Sequence, residues 1–414
     1  MKFRSIKGTK DILPPETSKW QHVEAVIRKI MQNFNYEEIR TPIFEQTNLF
    51  TRSIGELTDI VSKEMYTFLD MSKESITLRP EGTAPVIRAF IQNNLTERSP
   101  LTKLYYIGPM FRQEKPQAGR LRQFHQFGAE ALGSQNPQLD VEMMILPMEI
   151  LRNLGIEDFT LKINSVGCEK CRPGYKELLK SRLRKIADKL SPDSKARIEQ
   201  NPLRILDSKD ENDKKITADM PSILDHLCID CNIHFTSVCS LLDSMKIRYE
   251  VDSRLVRGLD YYTKTAFEIT SSSLGSQNAI AGGGRYDLLV EELGGKPTPG
   301  VGVAAGIERI LMLMEKNKSD KFPECHPRLF LVGVGETAQV WTFFKAIELR
   351  KKGLAVEVDY LSRSTKSQMR EANRQKVDYV IVVGEEELKT KAAKIKNMKT
   401  GEEKTISLDN IEIP

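Results

Sequence analysis

Apolar residues recur at three- and four-residue steps from Trp20 through Val23, Val26, Ile27, Ile30 and Met31 to Phe34, which predicts an amphipathic helix over 19–34. The next stretch, EEIRTPIFEQ, turns extended, and Pro42 suits an edge or an interface better than a central strand. LTKLYYIGPMFR and LRQFHQFGAEALG read as two strands joined by the polar KPQAGR, a long antiparallel hairpin with a charged loop. DFTLKINSVG is a further strand. Between about 170 and 245 the pattern becomes helical, with KELLKSRLRKIADKL and PSILDHLCIDCNIHFTSVCSLLDSM flanking a polar stretch. That predicts a helical insertion within a β-rich domain. Strands return in KIRYEVDSRLVRGLDYYTKTAFEITSS. AIAGGGRYDLLVEELGG and PGVGVAAGIERILMLMEKN each run from a Gly-rich turn or strand into a helix. EKNKSDKFPECHP, at 315–327, is the best linker candidate. Beyond it RLFLVGVG, LAVEVDY and DYVIVVGEEE alternate with amphipathic stretches, the β-α-β-α-β order of a small α/β domain with a largely parallel sheet.

The 414 residues are too many for one core and fit two or three domains. With 40% hydrophobic and 29% charged residues the composition is that of an ordinary soluble protein. A net charge of +5 is compatible with an RNA partner without demanding one. MKFRSIKGTKDILPP has no apolar run like a signal peptide's core, and no stretch of about 18 apolar residues exists, so no membrane partner is expected. Six cysteines without an export signal point to a reducing cytoplasm.

If 121–130 is a strand, Arg122, Phe124, Gln126, Gly128 and Glu130 share one face, with Arg112 ending the strand beside it. That face offers a cation, an amide, a gap and a carboxylate: a guanidinium suits a phosphate, an acid and an amide suit an amine or an imidazole. A solvated hairpin would seldom carry Phe and Gly between its charges. Arg257 precedes the tyrosines of RGLDYYTKTAFE, whose hydroxyls can read a polar ring, although aromatics also simply favour strands. Glu81 and Thr83 flank Gly82 ahead of a helix, where the acid serves either the helix N-terminus or an ammonium group. Arg309 sits in the first turn of a helix, which the helix dipole disfavours and which stacking on a base would explain. The glycines of GVGVAAG lack the G-x-G-x-x-G spacing and the surrounding βαβ unit of a dinucleotide site. Cys168-x-x-Cys171 and Cys228-x-x-Cys231 have the chemistry of a zinc site, but residues 172–227 separate them where the usual gap is about 15–20. His234 and Cys239 are spare ligands nearby, and free thiols in the insertion are the alternative.

Taken together, these stretches resemble the histidyl-tRNA synthetases, class II aminoacyl-tRNA synthetases, over nearly the whole chain. KGTKDILP resembles the family's opening, RTPIFEQTNLFTRSIGE its motif 1, FRQEKPQAGRLRQFHQFGAE motif 2 and GVGVAAGIERILM motif 3. RGLDYYTKTAFE and AGGGRYDLLVEELGG resemble stretches peculiar to the histidine enzyme. The resemblance implies an α+β catalytic domain over 1–325, with an antiparallel sheet of six or seven strands flanked by helices and a helical insertion at about 170–245. It implies a C-terminal α/β anticodon-binding domain over 328–414. It implies ATP with Mg2+ as substrate complex, histidine and tRNA-His as partners, no tightly bound organic cofactor, and a homodimer through motif 1. Carried over by position, Arg112 resembles the arginine on the ATP α-phosphate, Arg257 the arginine opposite it, and Arg309 the arginine on the adenine and γ-phosphate. Glu81, Thr83 and Gln126, with Gly82 between the first two, resemble the holders of the α-amino group. Glu130 and Tyr262, with Tyr261 beside them, resemble the readers of the imidazole. Lys115, Gln117, Arg120 and Arg122 fall on or beside the motif 2 loop that meets the acceptor stem. Lys115 departs from an arginine common in the family and lacks its bidentate fork, which bears on reading the extra 5′ guanosine. SIGELTDIVSKEMYTF, at 53–68, is a candidate mobile segment. Two rival readings share the fold: a regulatory subunit of ATP phosphoribosyltransferase, against which residues 328–414 argue, and a non-catalytic sensor of tRNA, which should lose the phosphate-binding arginines.

Overall fold

The computed structural model describes residues 3–54, 58, 60–117, 119–208, 210–257, 259–275, 278–317 and 326–413. Most of the linker candidate, 318–325, and residues 55–57 and 59 of the 53–68 segment lie outside the described residues. The chain divides into two units, 1–322 and 323–414.

The first unit is organised on an eight-stranded sheet, in the spatial order Glu37–Glu38, Thr102–Phe111, Gln123–Leu132, Gly300–Gly306, Ala279–Arg285, Thr263–Thr270, Thr160–Ser165, Glu250–Val251. The six inner strands are antiparallel to their neighbours, whereas each two-residue edge strand pairs in parallel. The sheet is therefore mixed and wider than the six or seven antiparallel strands expected, because edges of two residues carry no readable period.

Alternation along the strands separates two faces. Phe127, Ala129, Ala131, Val301, Val303, Ala305, Phe267 and Ile269 join the main core cluster. Helices Glu16–Asn33, Pro137–Asn153 and Ile307–Lys316 cover that face. The first helix buries Trp20, Val23, Ile27, Ile30 and Met31, the stripe that its periodicity predicts. Each such side chain contributes about 1.5–3 kcal/mol when fully buried. The opposite face, bearing Gln126, Gly128, Glu130, Gly302, Ala304 and Glu268, is left for the site.

The insertion has its own small core of Tyr175, Leu179, Leu183, Ile198, Ile205 and Leu206. Asp213, fully buried there, accepts hydrogen bonds from the Ser191 amide (2.8 Å) and from the hydroxyls of Ser191 (2.7 Å), Ser194 (2.6 Å) and Ser208 (2.9 Å). Helix Ile229–Ser244 instead places Val238 and Leu242 in the main core.

The second unit carries a five-stranded sheet ordered Val356–Val358, Leu329–Gly333, Tyr379–Val383, Ala392–Asn397, Glu403–Ser407. The first three strands are parallel, with helices Glu336–Lys351 and Thr365–Arg374 as crossovers. The last two form an antiparallel hairpin that the β-α-β-α-β pattern did not include. Its inward positions are only Ala393, Ile395 and the half-buried Ile406 among lysines and glutamates, too few to read as strands. Among the described residues no helix is long and apolar enough to cross a membrane.

Candidate active site

Glu130 sits near the end of its strand with 1% of its surface exposed. Directly across the sheet is Gly302, where a Cβ would lie 1.8 Å from the Glu130 Oε2. A carboxylate fits here only because its neighbour has no side chain. The Thr83 hydroxyl donates to Oε1 (2.7 Å) and the Tyr286 hydroxyl donates to Oε2. Burial, only partly offset by these two donors, pushes the Glu130 pKa up to about 8. Glu81, also buried, accepts the Thr83 (2.6 Å) and Ala84 (2.8 Å) amides and so caps helix Thr83–Gln92. Burial raises its pKa as well, with the amides, the Thr83 hydroxyl and the Arg112 charge acting against that. Of the two readings of Glu81, these amide contacts match the one that has it serve the helix N-terminus.

Four tyrosines close this end. The Tyr106 ring lies against both Gly82 and Gly128, where a Cβ would come within 2.2 Å and 2.3 Å of it. Tyr261 packs on Tyr262 (centroids 4.7 Å apart) and edge-on to Tyr286 (5.6 Å). Glu130 takes its hydrogen bonds from Thr83 and Tyr286, while Tyr262 stands between Tyr261 and Arg257.

About 13 Å along the same strand, at four residues' rise, Gln126 reaches a cavity of about 340 Å³. Arg112, Arg120, Arg257 and Arg309 all line it, with Glu114, Glu268 and Glu308. Arg112 donates through Nε to the Pro80 carbonyl (2.9 Å) and lies over the Phe124 ring at 5.2 Å. Arg257 donates to Glu268 (2.7 Å) and rests on Gly282, where a Cβ would be 2.2 Å from Nη2. Burial opposes the Arg257 charge, but Glu268 and Tyr262 outweigh it and hold its pKa above the ordinary arginine value. Arg309 donates to the Ala279 (2.5 Å) and Gly119 (3.3 Å) carbonyls. Burial, followed by the charge of Arg120 and then by that of Arg112 with Glu114 opposing, lowers its pKa. Gln126 Oε1 and Arg257 Nε are buried without a hydrogen bond among the described residues. Arg309, whose charge Arg120 and Arg112 disfavour, thus shares the cavity with three further guanidiniums and with unused polar atoms, chemistry suited to an anion.

Of the four loop residues, Lys115 and Gln117 are exposed. Arg120 turns inward to Glu114 (2.6 Å) and the cavity. Arg122 packs on Gly8, whose carbonyl accepts its amide (2.7 Å). Sequence reasoning did not single out Tyr106, Tyr286, Glu114 or Glu268. Local pattern offered little signal for them, apart from the glycine run 282–284, which admits close neighbours and ends two residues before Tyr286.

The four cysteines of the two C-x-x-C pairs converge, with all their sulfurs within 4.8 Å of one another. His234 and Cys239 are not part of the cluster. His234 Nε2 lies 3.1 Å from Asp140 Oδ1, inside a buried network in which Asp140 also pairs with Arg285.

The sequence model described as histidyl-tRNA synthetase matches residues 8–310, and that of an anticodon binding domain matches residues 346–412. A relative from Caldanaerobacter subterraneus, named histidine–tRNA ligase, is 50% identical over 412 residues, covering 100% of this chain and 99% of its own. One of the same name from Halothermothrix orenii is 51% identical over 412 residues, covering 99% and 98%. The structure of apo histidyl-tRNA synthetase from S. aureus superposes with a TM-score of 0.82 at 38% identity, covering 98% of each chain.

Proposed function

The chain belongs to the histidyl-tRNA synthetase family, and on that premise we propose that it activates histidine with ATP and transfers it to tRNA-His. The observation that carries this reading is the pairing, on one sheet face, of a four-arginine cavity with a buried acid pocket. The cavity suits the triphosphate of ATP, taken with Mg2+ as substrate complex. The pocket suits a small amino acid with a polar ring. Gln126 lines the cavity on the strand that also carries Glu130, so the amino acid would meet the nucleotide on that side.

Attack of the histidine carboxylate on the α-phosphorus expels pyrophosphate. Arg112 and Arg257 neutralise charge on the phosphate oxygens from opposite sides, and Arg309 holds the adenine and γ-phosphate end. No side chain need act as nucleophile. Glu81, Gly82, Thr83 and Gln126 hold the α-amino group. Glu130, supported by Tyr286, reads the imidazole together with Tyr262, and Tyr261 stands beside them. A pocket of buried hydrogen-bonding groups can reject an analogue lacking them by about 10⁴–10⁵-fold. In the second step the 3′ adenosine of tRNA attacks the adenylate. The exposed Lys115 and Gln117, with Arg120 and Arg122 behind them, meet the acceptor stem, and residues 328–414 meet the anticodon.

The working form is a cytoplasmic homodimer. The sheet Phe44–Gln46, Ser75–Leu78, Tyr66–Leu69 near Pro42 exposes Ile43, Phe44, Phe68, Leu69 and Met71, an apolar group that a second copy would cover. The regulatory and sensor readings are disfavoured by the anticodon-domain match and by the intact arginines. Amino-acid-dependent ATP–pyrophosphate exchange, run with all twenty amino acids, tests the reading. Exchange with histidine alone supports it, and no exchange from a folded dimer overturns it.

A further inference from the structure

We propose that Cys168, Cys171, Cys228 and Cys231 hold one zinc ion, a structural four-thiolate site that fastens both ends of the helical insertion to the catalytic sheet. The proposal rests on sulfur geometry and does not depend on the reading of the reaction. Four sulfurs bound tetrahedrally at about 2.3 Å from one zinc must lie about 3.8 Å from each other. The recorded separations are 3.8 Å for Cys168–Cys171, 3.7 Å for Cys168–Cys228 and 3.8 Å for Cys171–Cys231. All the sulfurs fall within 4.8 Å of one another. Disulfides need about 2.05 Å, and all four thiols are free. Four sulfurs this close enclose a single ion.

The surroundings fit thiolates. Cys171 and Cys228 are the N-cap residues of helices Arg172–Arg184 and Ile229–Ser244, so two helix N-termini face the cluster. Both favour negative sulfur. The Cys168 amide donates to Cys171 Sγ (3.2 Å). Gly167 adopts φ +68°, and a Cβ there would come 2.9 Å from Cys171 Sγ, so the glycine leaves room for the sulfur. Four thiolates and one zinc carry a formal −2. Arg172 and Lys170 supply adjacent positive charge, Lys170 also pairing with Asp230 at 3.2 Å.

The long gap between the pairs then has a physical meaning. Cys168 and Cys171 follow strand Thr160–Ser165, where the chain leaves the sheet, and Cys228 and Cys231 begin the helix that returns to the main core. The ion closes the loop of residues 172–227 at its base. Arg172 extends the anchorage, donating to the carbonyls of Val166 (2.9 Å), Gly167 (3.0 Å) and Tyr262.

The test uses the full chain, purified with reductant and without chelator. Elemental analysis should find about one zinc per chain, and X-ray absorption at the zinc edge four sulfurs at about 2.3 Å. Cys168→Ser and Cys228→Ser, one from each pair, should each drop zinc at least tenfold, while Cys239→Ser keeps it. Should the cluster variants not fold, Co2+ added to chelator-treated native protein should give the thiolate charge-transfer and intense visible bands of a tetrahedral site, with four of the six cysteines protected from thiol reagents. Native protein that carries less than a tenth of an equivalent of zinc and takes up no Co2+ overturns the proposal. A metal shell containing nitrogen or oxygen, or zinc retained by both cluster variants, overturns it as well.

Discussion

Gly282→Ala would place a methyl group where the Arg257 guanidinium now lies, and it should cripple adenylate formation without unfolding the protein. The added Cβ would stand 2.2 Å from Nη2, 2.4 Å from Cζ and 2.5 Å from Nη1, where ordinary contact begins at 3.4 Å. The guanidinium must therefore withdraw by at least 1.2 Å (3.4 less 2.2). The obstruction is the end of a flexible side chain, so the strand itself need not move. A displacement of about 1 Å in a positioning group costs roughly 10²-fold in rate, and removing a preorganised donor costs about 10²–10³-fold. We expect histidine-dependent pyrophosphate exchange to fall about 10²-fold in kcat/KM, approaching the loss in Arg257→Ala. Stability should hold, since alanine in a strand gains roughly 0.5–1 kcal/mol over glycine, which offsets the disturbed, partly exposed Arg257–Glu268 pair. Gly174→Ala is the control, because nothing lies within 4 Å of its Cβ position. Exchange within threefold of wild type in a folded Gly282→Ala protein would refute the role given to Arg257.

Three further outcomes follow from the geometry. Between about pH 4.5 and 8 the folded chain keeps the Glu130 proton that the unfolded chain loses. Stability should therefore fall with rising pH by about 1.4 kcal/mol per unit from this group, a slope that Glu130→Gln removes; parallel denaturation curves for the two proteins from pH 5 to 8 would contradict it. Asp213→Ala leaves three serine hydroxyls and an amide without their acceptor. It should cost roughly 3 kcal/mol, read as faster hydrogen exchange over 187–217, and unchanged exchange there would count against it. Deleting 328–414 should weaken tRNA charging more than adenylate formation; equal losses would assign that unit to supporting the catalytic one.

The hairpin of motif 2 was legible because two stretches rich in aromatic and apolar residues, each ten residues long as strands, flank a loop dominated by charged and polar residues. The arginines were legible because charge beside Phe and Gly is hard to explain on a solvated strand. Glu268 and Tyr286 were not. Glu268 is an acid on a strand and Tyr286 follows the end of one, both ordinary by local pattern, and only the folded chain brings the first to Arg257 and the second to Glu130. Arg122 and Arg120 look alike in the sequence, yet one packs on Gly8 and the other enters the cavity, because strand and loop face different neighbours. The convergence of the four cysteines was not legible from their spacing, because spacing rules assume one short loop between the pairs, whereas here a whole subdomain lies between them.

Strand Ala279–Arg285 has three successive glycines at the middle of the sheet, and they make a seam. Gly282, Gly283 and Gly284 bring no side chains to lock the sheet's two halves; they yield their space to Arg257, Phe267 and Tyr262. On one side stand the strands bearing Arg112, Gln126 and Glu130; on the other stands the strand bearing Glu268, against which Arg257 leans. A nucleotide gripped by Arg112 and Arg257 would span that seam. Substrate would then act as a staple, stabilising the closed sheet by RT ln(1 + [ATP]/Kd), and the protein's resistance to unfolding would report on how full its site is.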